Sequence, residues 1–435
     1  MAQADRTPPR PPIRPGPRPL PLHVLIAGTW PNSAAVLPLW RNAWHGSKPN
    51  GAASLAPWHP ALKGRAEALA RDLAAADPEA LQAAIGQEIR RRLDAFERGV
   101  RTYRHHPYRR DLEMAPTVWR DGTTRLRDYG AIVPADSGGT PLLVVPSLIN
   151  RAYILDLMEG RSFLRTLAQQ GFRPFLVDWD RPGAVERGFD LSAYIAGRLG
   201  AALDRVLAIA GRPPVVIGYC MGGLLALALA RLRPRDVAGL MLLATPWDFH
   251  ADRPGLARAL GRSVMPWMPL FDRLGELPLD VLQTLFAALD PFQVPRKFCA
   301  FARLDPESDK AKAFVALEDW LNDGVPLAVA VARECLGDWY GENTTGRGEW
   351  RVAGQVIRPD AITVPTLVVV PEQDRIVPPP SARALAKTIP GAQMLGPAFG
   401  HIGMVTSARA PVELWPHLSK WLGRCLASRP VGRLD

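Results

Sequence analysis

A cysteine, an aspartate and a histidine, met in that order along the chain, are the residues whose types and surroundings can do chemistry: Cys220, Asp374 and His401. Cys220 stands in Gly218-Tyr219-Cys220-Met221-Gly222, between the apolar residues 215–217 and a helix-forming run that begins at Met221. The β-branched run predicts a short buried strand, and the small and leucine-type residues after it predict a helix. A nucleophile on so sharp a strand-to-helix turn is strained. Its flanking positions want residues without a Cβ, which Gly218 and Gly222 supply. The turn lifts the thiol off the strand end onto a helix N-terminus, whose unpaired N–H groups favour a thiolate and can hold an oxyanion. Taken alone, a cysteine at such a corner is often mere packing, so the reading depends on what lies downstream.

A thiol nucleophile needs a base, and the base needs a group to orient it. Residues 366–370 predict a strand, and the loop after it, Pro371-Glu372-Gln373-Asp374-Arg375-Ile376-Val377-Pro378, offers two carboxylates. Asp374 is the candidate acid, with Glu372 of the same loop as the alternative. His401 lies in Phe399-Gly400-His401-Ile402-Gly403, after a short strand near residues 393–395, and its flanking glycines suit a side chain that must reach the cysteine. His250 also follows a strand but precedes Asp374, and reads as a contact at the base of the insertion described below. The chain order nucleophile, acid, histidine is that of Gly-x-nucleophile-x-Gly enzymes, whose oxyanion hole combines two backbone donors. The first is the N–H of Met221. The second comes from the loop at residues 146–150, with Leu148 or Ile149 as the candidate.

These residues must be positioned by a sheet. Residues 117–120 and 124–129 predict a hairpin around Asp121-Gly122. Strands at 141–145, 174–178, 215–217, 237–244 and 365–370 then alternate with helices at 154–170, 191–210, 221–232 and 381–388. Such alternation predicts an α/β protein of the α/β-hydrolase fold, with a mostly parallel sheet covered by helices on both faces. The alternation stops after Thr245, where residues 246–359 are apolar and helix-prone and read as a helical lid inserted into the fold. The expected organisation is a Pro/Arg-rich disordered tail (1–21), an N-terminal arm and helices (22–116), a catalytic core (117–245 and 360–426) and the lid (246–359). Residues 22–40, with two tryptophans, suit a packed arm better than a surface-seeking segment. His105-His106 beside Tyr108 looks like a metal pair only superficially, because no third ligand is near.

Composition narrows the function classes. The chain has 435 residues, 47% of them hydrophobic and 22% charged, enough for an ordinary core. Its formal net charge of +11 is spread along the chain rather than gathered into a basic stripe interleaved with aromatics. That pattern suits anionic substrates or coenzyme phosphates and speaks against nucleic acid. Four cysteines without CxxC spacing point to neither a zinc site nor a disulfide framework, and fit a reducing cytoplasm. No secretory signal is expected from the Pro-rich start, and no run of about eighteen uncharged apolar residues predicts a membrane span.

The motifs together resemble the polyhydroxyalkanoate synthase family, the polyester polymerases of bacterial storage granules. The likeness rests on Gly218-Tyr-Cys-Met-Gly-Gly223, on Pro141-Leu-Leu-Val-Val-Pro-Ser-Leu-Ile-Asn150 followed by Tyr153-Ile-Leu-Asp-Leu157, and on Asp338-Trp-Tyr-Gly-Glu-Asn343. It rests also on Asp374-Arg-Ile-Val-Pro and Gly400-His-Ile-Gly403, which match the family's acid and base positions, and it runs from about residue 118 to 422. The family usually has tryptophan where Ser147 stands and seldom methionine after the cysteine. The resemblance implies an acyltransferase that polymerises 3-hydroxyacyl-CoA through a Cys220 acyl-enzyme and releases coenzyme A, with no bound cofactor and no metal. It implies a hydroxyacyl-CoA and a growing polyester chain as partners, and a cytoplasmic location at storage granules. A granule surface, a partner subunit and a homodimer all remain open as associations. Two other readings share these residues: a cysteine hydrolase acting as polyester depolymerase, esterase or thioesterase, and a non-catalytic granule-binding member.

Overall fold

The computed structural model describes residues 13–32, 60–132 and 139–427. The expected disordered tail and the two-tryptophan segment lie partly outside these residues; within them, Leu20–Ala27 is helical. The chain divides into two compact units, Met1–Tyr108 with Asp290–Val315, and Arg109–Leu289 with Ala316–Asp435.

The smaller unit is helical. Its long helix Pro78–His105 starts where the sequence places the cap, with Asp77 Oδ1 accepting from Ala80 N–H at 2.8 Å and Pro78 in the first turn. Its buried face meets the helix Gln293–Phe301 around Phe298, which stands edge-on to Phe96 and Tyr103 with ring centroids 6.3 and 5.7 Å away. Gly99 lets the two backbones approach, since a Cβ there would lie 2.8 Å from the Phe298 carbonyl carbon. Residues 290–315 were expected inside the insertion, and the first boundary at 116. The aromatic face of Phe298, Phe301 and Phe314 packs instead with Phe96 and Tyr103, and carries that stretch into the first unit. His106 uses both ring nitrogens here. Nε2 donates to the Pro306 carbonyl at 2.8 Å and Nδ1 accepts from Tyr108 N–H at 3.1 Å, which leaves no lone pair for a metal.

The larger unit is built on an eight-stranded sheet: β1 (Thr117–Asp121), β2 (Thr124–Asp128), β3 (Thr140–Val145), β4 (Phe172–Asp178), β5 (Val215–Tyr219), β6 (Gly239–Leu243), β7 (Thr366–Val369) and β8 (Gln393–Leu395). The spatial order is β1-β2-β4-β3-β5-β6-β7-β8. The hairpin β1-β2 is antiparallel and joins β4 antiparallel; the remaining pairs are parallel. β5 and β6 are buried at every residue, as expected of strands covered on both faces. Helices Gly200–Ala210 and Met221–Leu232 bury their apolar faces in the same core.

Two local expectations fail. Residues 154–170 do not form one helix. A short 3-10 turn, Ala152–Leu155, leads into a two-stranded ribbon, Asp156–Met158 with Arg161–Ser162, and only Phe163–Gln169 is α-helical. Fully buried Asp156 explains the break. Its carboxylate is held by Arg110 at 2.9 Å, Arg165 at 2.7 Å and Tyr129 Oη at 3.1 Å, while Gly160 turns the ribbon at φ +69° and Ser162 caps the helix. Residues 193–199 form wide π-type turns before the α-helix at Gly200. Among the described residues no helix is long and apolar enough to cross a membrane, and no group of three His, Cys, Asp or Glu is placed to hold a metal ion.

Candidate active site

Three loops at the carboxyl ends of β5, β7 and β8 carry the sequence-derived residues, the edge where open α/β sheets bind ligands. Cys220 follows β5 directly and caps the helix Met221–Leu232 with φ 57° and ψ −129°, a conformation costly for a residue bearing a Cβ. Its strain is held from two sides. Cys220 N–H donates to the Leu243 carbonyl of β6, and its own carbonyl accepts from Gly223 N–H, both at 2.9 Å. The glycines do what the motif requires. A Cβ on Gly218 would lie 2.7 Å from the Gly222 carbonyl oxygen, and one on Gly222 would lie 2.6 Å from the Pro146 carbonyl. Gly223, outside the five-residue motif, is equally constrained, because a Cβ there would run into Thr245.

His401 reaches the cysteine. Its Nδ1 donates to Asp374 Oδ2 at 2.6 Å, and its other ring face engages the Cys220 side chain. Asp374 is fixed in turn, its second oxygen accepting from Ile376 N–H at 2.8 Å and Val377 N–H at 2.9 Å. The competing Glu372 turns away to pair with Arg383. Burial by itself would lower the His401 pKa. The charge of Cys220 and the hydrogen bonds to Asp374 and Cys220 outweigh it and raise the pKa to about 10. The site therefore favours a protonated imidazole beside the Cys220 side chain.

The loop between β3 and the ribbon lies against the elbow through Gly222, and Trp179 Nε1 pins the Pro146 carbonyl at 3.0 Å. Ile149 N–H donates to Ser147 Oγ at 3.1 Å within its own turn. Leu148 N–H and Met221 N–H make no hydrogen bond among the described residues. Of the two candidates for the second oxyanion donor, Leu148 is thus the one with a free N–H.

Two residues near the site were not singled out by the sequence. Tyr219, the variable residue before the cysteine, lies 5.3 Å from the His401 ring and donates its hydroxyl to the His401 carbonyl at 3.2 Å. Tyr340 is half-buried near Cys220; desolvation first, then the nearby cysteine charge, pushes its phenol well above the ordinary tyrosine range. Tyr219 sat in the motif's wildcard position, and Tyr340 in a segment noted only for its likeness to the family. His250 is a structural contact as expected, donating from Nε2 to the Tyr340 carbonyl at 2.9 Å.

A sheet in this order, with a nucleophile turn after its fifth strand and an acid and a histidine after the seventh and eighth, defines an α/β-hydrolase carrying cysteine. A model of the alpha/beta hydrolase fold family matches residues 140–408. The poly(3-hydroxyalkanoate) polymerase subunit PhaC of Allochromatium vinosum is 32% identical over 286 residues, 65% of this chain and 80% of that one. Its namesakes from Haloferax mediterranei and Haloarcula marismortui are each 30% identical, over 70% and 72% of this chain and 62% and 68% of their own lengths. The chain belongs to the poly(3-hydroxyalkanoate) polymerase family of the α/β-hydrolase fold.

Proposed function

We propose that the protein is an acyltransferase that polymerises 3-hydroxyacyl-CoA through an acyl-enzyme on Cys220. His401, oriented by Asp374, holds the proton of the Cys220 thiol. The thiolate attacks the thioester carbonyl, and the oxyanion is held by Met221 N–H with Leu148 N–H. Collapse forms a Cys220 thioester and expels coenzyme A as its thiolate, which His401 protonates. His401 then takes the proton of a hydroxyl, either the 3-hydroxyl of an incoming unit or that at a chain end, and the new ester forms as Cys220 is released. The helical insertion keeps water from competing for the acyl group. No cofactor or metal enters this scheme, the coenzyme being part of the substrate. The place of work is the cytoplasm at the surface of a polyester granule.

One observation carries the reading: a strained cysteine, rather than serine, stands before an intact His401–Asp374 pair. Thioester exchange between two thiols is nearly balanced in free energy, so a cysteine can pass the chain on without the loss that hydrolysis entails. The test is incubation of the purified protein with 3-hydroxybutyryl-CoA, following released thiol and the acyl product. Polyester with thiol release is expected. Thiol release with free 3-hydroxybutyrate as the sole product would assign the protein to the hydrolases, and no thiol release would remove thioester chemistry altogether.

A further inference from the structure

The insertion opens with a helical stretch that has two apolar edges and buries only one. Residues 254–274 run as the helix Pro254–Val264, a 3-10 turn Met265–Trp267 and the helix Met268–Leu274. Ala257, Gly261, Val264, Met268 and Phe271 are buried and stand alternately four and three apart, so one face stays turned inward through the turn. Gly261 brings that face against the segment Glu334–Gly341, since a Cβ there would lie 2.5 Å from the Leu336 carbonyl oxygen. One position earlier the same spacing recurs in Leu256, Leu260, Trp267, Leu270 and Leu274, interrupted only by Ser263. Leu260 is half-buried, and the other four are between 44% and 59% exposed. Apolar side chains scattered singly over a surface need no explanation, but a continuous exposed stripe does.

The charge beside the stripe is of one sign. Arg258, Arg262 and Arg273 are exposed on the remaining arc of the stretch and have no carboxylate partner among the described residues. The acidic groups near them are taken. Asp252 pairs with Arg253 at 3.0 Å, Asp272 with Arg333 at 2.8 Å and Glu276 with Arg181 at 2.8 Å, while Glu342 lies 3.6 Å from Arg347. Tryptophan and leucines along one edge and unpaired arginines along the next suit a helix lying flat in an anionic interface, its apolar side chains among acyl chains and its guanidinium groups at the headgroups. Trp267, the most exposed of the stripe, has the amphipathic ring that such a boundary favours. A second copy of the chain fits less well, because the contact would confine these arginines with no carboxylate of the stretch free to meet them. We infer that residues 254–274 seat the protein on an anionic phospholipid surface, as a peripheral contact and not a span. The inference goes beyond the reaction proposed for Cys220, and its test needs no turnover.

The test is co-sedimentation of the full chain with vesicles of mixed phosphatidylcholine and phosphatidylglycerol, against vesicles of phosphatidylcholine alone. Binding to the mixed vesicles is expected, at least about tenfold stronger than to the neutral ones and weakening as salt is raised. Arg258→Gln/Arg262→Gln/Arg273→Gln should lower the partition coefficient at least about tenfold, and Trp267→Ser/Leu270→Ser by a similar factor. Both variants should keep the parental thermal midpoint within a few degrees, because all five side chains are exposed. Lysine at the three arginine positions should retain most of the binding, since headgroup attraction needs the charge and not the fork. Absence of binding to the mixed vesicles, or equal binding by the parent and both variants, overturns the inference. Equal adsorption to neutral vesicles, or self-association that Trp267→Ser/Leu270→Ser abolishes in a protein that ignores lipid, overturns it too, by giving the stripe to plain apolar contact or to a second copy.

Discussion

His401 Nδ1 donates to Asp374 Oδ2 at 2.6 Å, across 27 positions of sequence, while the second Asp374 oxygen is held by two backbone N–H groups of its own loop. The aspartate is thereby a fixed acceptor that selects the tautomer with Nε2 toward Cys220. Asp374→Asn keeps the size of the side chain and removes the charge. Turnover of 3-hydroxybutyryl-CoA should fall by about 10³- to 10⁴-fold in kcat, with a thermal midpoint within a few degrees of the parent. A variant with near-parental kcat would show that another group orients the histidine.

The raised His401 pKa has a direction that can be checked by NMR titration of its ring protons. The causes that raise it are Cys220 and Asp374, so Cys220→Ala should lower the pKa from its parental value, and Asp374→Asn should lower it too. An unchanged pKa in Cys220→Ala would mean that the thiol and the ring do not interact.

The same shift links stability to pH. A histidine whose folded pKa of about 10 exceeds its unfolded value of 6.5 contributes stability that is fully present below about pH 6.5. That contribution is lost as pH rises toward 10. Urea unfolding of the parent and of His401→Gln at several pH values should give a difference that shrinks across this window. A difference that grows with pH would reverse the sign and exclude an imidazolium in the folded site.

The elbow glycines are a steric requirement. Gly218→Ala puts a Cβ 2.7 Å from the Gly222 carbonyl oxygen, where backbone rather than a flexible side chain must give way. A loss of about 3 kcal/mol or more in unfolding free energy is expected, at the upper end of overpacking effects, together with loss of activity. An alanine variant of full stability would mean that the turn is not as tight as described.

How much of this was legible follows from where the information sits. That Cys220, Asp374 and His401 meet at one end of the sheet was readable because each lies in a short local pattern whose glycines and strand neighbours dictate the turn; their catalytic roles remain part of the proposal. The sheet was readable because buried strands such as residues 215–219 are continuous apolar runs. The ribbon at 156–162 was not, since it depends on Asp156 meeting Arg110, Arg165 and Tyr129 from distant positions, and helix-like composition hides such pairing. The grouping of Phe298 and Phe301 with Phe96 and Tyr103 was likewise out of reach, because periodicity marks an apolar face but not its partner. The choice of Leu148 over Ile149 turned on one hydrogen bond to Ser147, a detail of loop geometry.

The central claim is that Cys220 carries the acyl group. Intact-protein mass spectrometry after brief mixing with 3-hydroxybutyryl-CoA, followed by peptide mapping, tests it most directly. The account predicts a 3-hydroxybutyryl adduct on the peptide bearing Cys220, formed with release of coenzyme A, and no adduct in Cys220→Ala. An adduct on another residue, or turnover that survives Cys220→Ala, would contradict it.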